Sequence, residues 1–94
     1  LNACMMVGYV ALCALEGIEL EQLEIETDGE LDLRGFLAVG GVGAVPAGYP
    51  EVNYRVRIRG GGSPEQFQRI HETVQATSPN YFNVTQPIRL NAQL

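Results

Sequence analysis

The sequence holds two cysteines, one histidine and no tryptophan. Two cysteines are too few to staple a disulfide scaffold. Such sparing use points to a reducing, cytoplasmic setting. A single imidazole with no second Cys or His beside it makes no metal site. Basic residues are also scarce, six against eleven acidic ones, for a formal net charge of −5. That balance disfavours nucleic acid or an anionic membrane as the main partner. No apolar run approaches the roughly 18 residues of a membrane span. The glycine-rich Gly40-Gly41-Val42-Gly43 and Gly60-Gly61-Gly62 lack the lysine and the strand-to-helix setting of a phosphate loop. The D-x-D-x-D-G pattern of a calcium loop is missing as well. No cofactor and no metal is expected.

What is present is a globular composition, with 46% apolar and 18% charged residues in 94. That length suits one domain, and a chain this short has a marginal core. The chain opens on Leu1 and runs directly into an apolar stretch. Leu1–Leu15 has the apolar character of a signal peptide, but no basic residue precedes it and no A-x-A-type site follows. The preferred reading is that this chain is the later part of a longer protein.

Asn2 to Glu16 is apolar almost throughout and free of proline. It predicts a central helix buried on all sides, with Asn2 as N-cap and Gly17 as the left-handed residue that ends it. Ile18 to Arg34 reads as a hairpin: Leu23 and Ile25 alternate with Glu24 and Glu26, Leu31 and Leu33 with Glu30 and Asp32, and Asp28-Gly29 stands between as a type I′ turn. Gly35 to Pro50, with five of the eleven glycines, is a loop. Its length marks it as functional or mobile. Val52 to Arg59 alternates cleanly and projects Arg55, Arg57 and Arg59 from one face. Ser63-Pro64-Glu65-Gln66 carries a Ser cap, Pro at the first helical position and Gln at the capping-box position. Phe67, Ile70, His71 and Val74 form one stripe of the helix that follows, which ends near Thr77 because Ser78 precedes Pro79. Tyr81 to Gln86 is ambiguous, and Pro87 to Leu94 alternates weakly as a final strand. The fold class is α+β with a largely antiparallel sheet.

Cys4 is the residue best placed for chemistry. It lies in the opening turn of a helix, where unpaired N–H groups and the macrodipole favour a thiolate. The bland alternative is a small buried hydrophobe, and no Lys, Arg or His lies within fifteen residues of it. Cys13 sits nine residues on, on the opposite side of the helix and about 13 Å along its axis. The two cannot bond while the helix is intact, and Cys13 reads as core. His71, on an apolar stripe, reads as a packed or interface residue ahead of a general base. Eight of the eleven carboxylates, from Glu16 to Asp32, fall within seventeen residues. They read as a solvated sheet face whose complement is the arginine row, with cross-strand pairs worth a few tenths of a kcal/mol each. Asn83-Val84-Thr85 matches a glycosylation sequon, but nothing else suggests secretion.

Taken in order, several segments resemble the OsmC/Ohr superfamily of osmotically inducible and organic-hydroperoxide-resistance proteins. They are the Ala3-Cys4 helix start, Gly17-Ile18-Glu19-Leu20, the stretch from Gly29 through Leu31-Asp32-Leu33-Arg34-Gly35-Phe36 to Leu37, the strand Tyr54 to Ile58, the helix from Ser63, and Ser78-Pro79 followed by Pro87-Ile88. The resemblance implies an intertwined homodimer of an α+β fold, with a long buried central helix packed on a curved sheet. It implies a thiol peroxidase in which a cysteine at the start of the central helix attacks a hydroperoxide. A second cysteine, before a proline after the second helix, then resolves it. Cys4 matches the first position. Ser78 stands at the second and cannot form a disulfide. The family's N-terminal strands, with the Arg and Glu that lower the thiol pKa, have no counterpart, so residues 1–94 correspond to the later two-thirds of one OsmC-like domain.

Three readings follow. Cys4 reduces organic hydroperoxides in oxidative-stress defence, with an external thiol or Cys13 of a partner chain as resolver. Alternatively, an inactive dimer binds a hydrophobic small molecule. In the third, the chain is a structural domain stable only as an oligomer. The expected partners are a second copy, a hydroperoxide or other hydrophobic molecule, and an external thiol reductant.

Overall fold

A prolonged apolar run without proline favours helix, and the chain begins with one. The computed structural model describes residues 1–94 and contains α1 (Asn2–Leu15), β1 (Leu20–Gly29), α2 (Leu33–Phe36), β2 (Val52–Gly60), α3 (Pro64–Thr77) and α4 (Pro79–Thr85). β1 and β2 form a two-stranded antiparallel sheet. The chain divides into two compact units, one made of Leu1–Glu24 and Arg57–Leu94, the other of Ile25–Val56. No helix is long and apolar enough to cross a membrane.

In the first unit, α1 stops at Gly17, whose φ of 70° only glycine adopts at little cost. The Gly17 N–H bonds the Ala14 carbonyl at 3.1 Å and the Ile18 N–H the Cys13 carbonyl at 2.8 Å, a Schellman closure. At the other end the expected cap shifts by one residue. Leu1 is the N-cap, with no side-chain bond, and Asn2 is already helical. The Met5 N–H, bonded to the Leu1 carbonyl at 3.0 Å, sets that boundary.

α1 packs against α3 and α4, and α3 against α4. Only the stripe Met5, Tyr9 and Cys13 is buried, against Ile70 and Val74 of α3. Val7 and Leu15, on other faces, are 69% and 82% exposed. A helix covered on all sides was expected; within this chain one side is covered, and by helices. α3 starts as the sequence predicts. The Ser63 hydroxyl accepts from the Gln66 N–H at 3.2 Å, and the Gln66 side chain accepts from the Ser63 N–H at 2.8 Å.

The pairing of β1 with β2 sets arginines of one strand against carboxylates of the other. Arg57 meets Glu24 at 3.6 Å, Arg55 meets Glu26 at 3.4 Å, and Arg59 meets Glu21 at 3.4 Å. Each pair therefore lies within a single unit. The acidic and arginine faces do complement each other, as exposed pairs of small individual worth.

The hairpin expected within Ile18–Arg34 does not form. Neither Asp28 nor Gly29 has the positive φ that a type I′ turn requires, and both continue β1 opposite β2. Leu31 is in no strand, and Leu33 opens the one-turn helix α2. The Asp32 carboxylate accepts from the Arg34 N–H at 3.0 Å and grips the Arg34 guanidinium at 2.6–3.1 Å. A local cap of this kind takes the backbone away from a ladder. The same contact holds the Asp32 carboxyl below its usual range and the Arg34 guanidinium above its own.

The final strand expected over Pro87–Leu94 is also not there, since no strand lies beside it to bond its backbone. Tyr81–Gln86 belongs mostly to α4, started by Ser78 as N-cap and Pro79 in its first turn. Of the loop expected over Gly35–Pro50, Gly35 and Phe36 belong to α2, and residues 37–51 form the loop, with positive φ at Ala38, Gly40, Gly41 and Gly43.

Candidate functional site

Cys4 is the third residue of α1, and its side chain is exposed. The N–H groups of a first helical turn have no intrahelical acceptor. Here no side chain caps them and no acidic residue stands in the turn, so their partial positive charge is left for whatever negative group comes near.

Ser78 terminates α3 and begins α4. Its N–H bonds the Val74 carbonyl at 2.9 Å, and its hydroxyl accepts from the Tyr81 N–H at 3.3 Å. The residue is 8% exposed. Pro79 forces the chain to turn there.

Cys4 and Ser78 line one shallow depression of about 170 Å³ in the first unit, together with Val7, Gly8, Val74, Thr77 and Pro79. Gly8 makes room for it. A Cβ at that position would stand 3.4 Å from both Val74 methyl groups, the near limit of ordinary packing. The two positions singled out in the sequence are thus brought together across seventy-four residues. The lining carries no charged side chain. Gly8, Val74 and Thr77 were not picked out as site residues. The lone glycine inside an apolar helix was the available signal for Gly8.

Cys13 is elsewhere. It is buried in the α1–α3 core, and burial first, then the Glu16 charge, pushes its thiol up from the ordinary value. Iodoacetamide at neutral pH is therefore expected to label Cys4 in the folded chain and Cys13 only after denaturation, read by peptide mass. A folded state that holds the Cys13 proton more tightly than the unfolded chain is stabilised below the unfolded pKa. That stability is lost as pH rises through the raised folded value. The urea midpoint should accordingly fall above about pH 9 and fall less in Cys13→Ala.

His71 is a packed histidine. The Tyr9 hydroxyl and the His71 Nδ1 share a hydrogen bond of 2.5 Å, and the two rings stack with centroids 6.0 Å apart. A larger hollow of about 580 Å³ in the second unit is lined by Leu31, Leu33, Val45 and Pro46 with Glu30 and Asp32, and holds no thiol or hydroxyl side chain. No three His, Cys, Asp or Glu side chains converge as a metal site.

The profile of the OsmC-like protein family matches residues 1–93. Among solved structures, the OsmC-like protein from Mycoplasma pneumoniae superposes with a TM-score of 0.69 at 14% identity, over 89% of this chain. The present chain spans 55% of that protein's length. No curated protein matches at a significant level.

Proposed function

The chain belongs to the OsmC-like protein family, and on that footing we propose that it reduces organic hydroperoxides through Cys4, in a one-cysteine cycle. The observation that carries the reading is an exposed thiol in the uncapped first turn of α1, sharing a depression with Ser78. The Cys4 thiolate attacks one oxygen of the peroxide. The S–O bond forms, the O–O bond breaks, and the leaving alkoxide takes a proton and departs as the alcohol. Sulfur is oxidised by two electrons to the sulfenic acid. With serine at position 78, a small-molecule or protein thiol supplies the return. One thiol condenses with the sulfenic acid to give a mixed disulfide and water, and a second displaces Cys4 and leaves as disulfide. This chemistry belongs in the reducing cytoplasm.

The expected result is consumption of cumene hydroperoxide with dithiothreitol by the wild type and by Cys13→Ser, but not by Cys4→Ser. Equal rates in all three would remove the proposal.

The working form is a homodimer in which a second copy closes over the faces of α1 that carry Val7 and Leu15. Apolar side chains left in water on a central helix support this. Sedimentation at micromolar concentration should give twice the chain mass. A stable monomer would contradict it.

A second reading is favoured by the uncharged lining of the depression. It is that the dimer holds a hydrophobic molecule without turnover. Under it, native mass spectrometry finds a fatty acid or intact hydroperoxide bound and Cys4→Ser changes no rate.

A further inference from the structure

We infer that the Ser78 hydroxyl donates the hydrogen bond that steadies the leaving oxygen of the peroxide. The inference rests on Cys4 being the attacking thiol and adds a role for the residue that replaces a second cysteine. Ser78 is more than nine-tenths buried and lines the Cys4 depression. A hydroxyl has one proton to give and two lone pairs to accept with. One lone pair takes the Tyr81 N–H, while the proton is given to no group of the chain. The neighbouring candidates are spent or lack a donor. The Thr77 hydroxyl donates to the Thr73 carbonyl at 2.7 Å. Val7, Gly8, Val74 and Pro79 have no side-chain proton to offer. Among the residues of this chain that line the depression, Ser78 is the one, apart from the thiol, with a side-chain proton given to no other group.

The chemistry needs such a donor. As sulfur takes one peroxide oxygen, the O–O bond breaks heterolytically and negative charge collects on the other oxygen. An alkoxide is a poor leaving group, and a fixed donor in a partly shielded depression stabilises it more than mobile water does. Solvent supplies the proton that completes the alcohol, so Ser78 begins and ends as the hydroxyl.

The test compares two oxidants that differ in what leaves. tert-Butyl hydroperoxide expels an alkoxide. Peracetic acid expels a carboxylate that needs little help. Single-turnover loss of the Cys4 thiol is followed in the whole chain for wild type, Ser78→Ala and Ser78→Thr. Ser78→Ala is expected to slow tert-butyl hydroperoxide by about tenfold or more, in line with the loss of one oxyanion donor, and to slow peracetic acid far less. Ser78→Thr, which keeps both the α4 cap and the donor, is expected to restore the rate. Equal slowing with both oxidants, or slowing with neither, would overturn the donor role while leaving Cys4 as the thiol. If neither oxidant consumes Cys4 in the wild type, the thiol reading and this inference fall together.

Discussion

Tyr9→Ala should leave the chain with no more than about 2 kcal/mol of stability at 25 °C, at the edge of unfolding. Tyr9 is the largest of the five fully buried apolar side chains, at 1% exposure, and it lies in the middle of the α1 stripe between Met5 and Cys13. Truncating a buried aromatic to alanine costs about 3–5 kcal/mol, from lost transfer energy and the cavity left behind. A chain of 94 residues holds about 5–14 kcal/mol in total. With so few buried side chains this one belongs at the low end of that range. Tyr9→Phe separates packing from polarity. It keeps the ring against His71 but removes the hydrogen bond between the Tyr9 hydroxyl and Nδ1, at about 1–2 kcal/mol. Urea titrations followed by far-UV circular dichroism give both numbers. A Tyr9→Ala midpoint equal to that of wild type would show that the α1–α3 contact does not hold the unit together.

Gly35→Ala has the second largest expected effect, confined to the other unit. A Cβ at Gly35 would overlap the Pro46 carbonyl oxygen and press on the Pro46 carbonyl carbon and the Ala47 Cα. All three are backbone atoms, so no rotamer change relieves the clash. Either the α2 turn or the segment near Pro46 must move. Overpacking typically costs about 1–3 kcal/mol and occasionally more, and a backbone clash belongs at the top of that range. Hydrogen exchange should quicken between residues 30 and 50 and stay unchanged in α1 and α3. Gly41→Ala is the contrast: nothing lies within 4 Å of its would-be Cβ. Only the strain of its φ of 110° is felt there.

What could be read in advance was what short stretches of chain decide. The Ser63–Gln66 capping box, the Gly17 closure and the break at Ser78-Pro79 involve residues a few positions apart, so the sequence displays them directly. The Glu24–Arg57 and Glu26–Arg55 pairs were legible because alternation puts like charges on one face of each strand. The errors lie where a distant partner decides. Asp28-Gly29 has turn chemistry, but β2 captures the strand through those residues, and the Asp32–Arg34 cap then curls the next stretch into α2. Pro87–Leu94 alternates, yet alternation makes a strand only where another strand accepts its hydrogen bonds. For the site, position in a helix's first turn marked Cys4. Its meeting with Ser78 follows from how α1 and α3 pack, which no local spacing encodes. The family resemblance, not periodicity, pointed to Ser78.

The proposal stands on one sulfur atom becoming oxidised while the chain stays folded. The direct measurement is dimedone trapping after one equivalent of cumene hydroperoxide, with the adduct located by peptide mass. A single adduct on Cys4, with Cys13 unmodified until urea is added, is the predicted result. An unmodified Cys4, or an adduct on Cys13 in the folded chain, would contradict it.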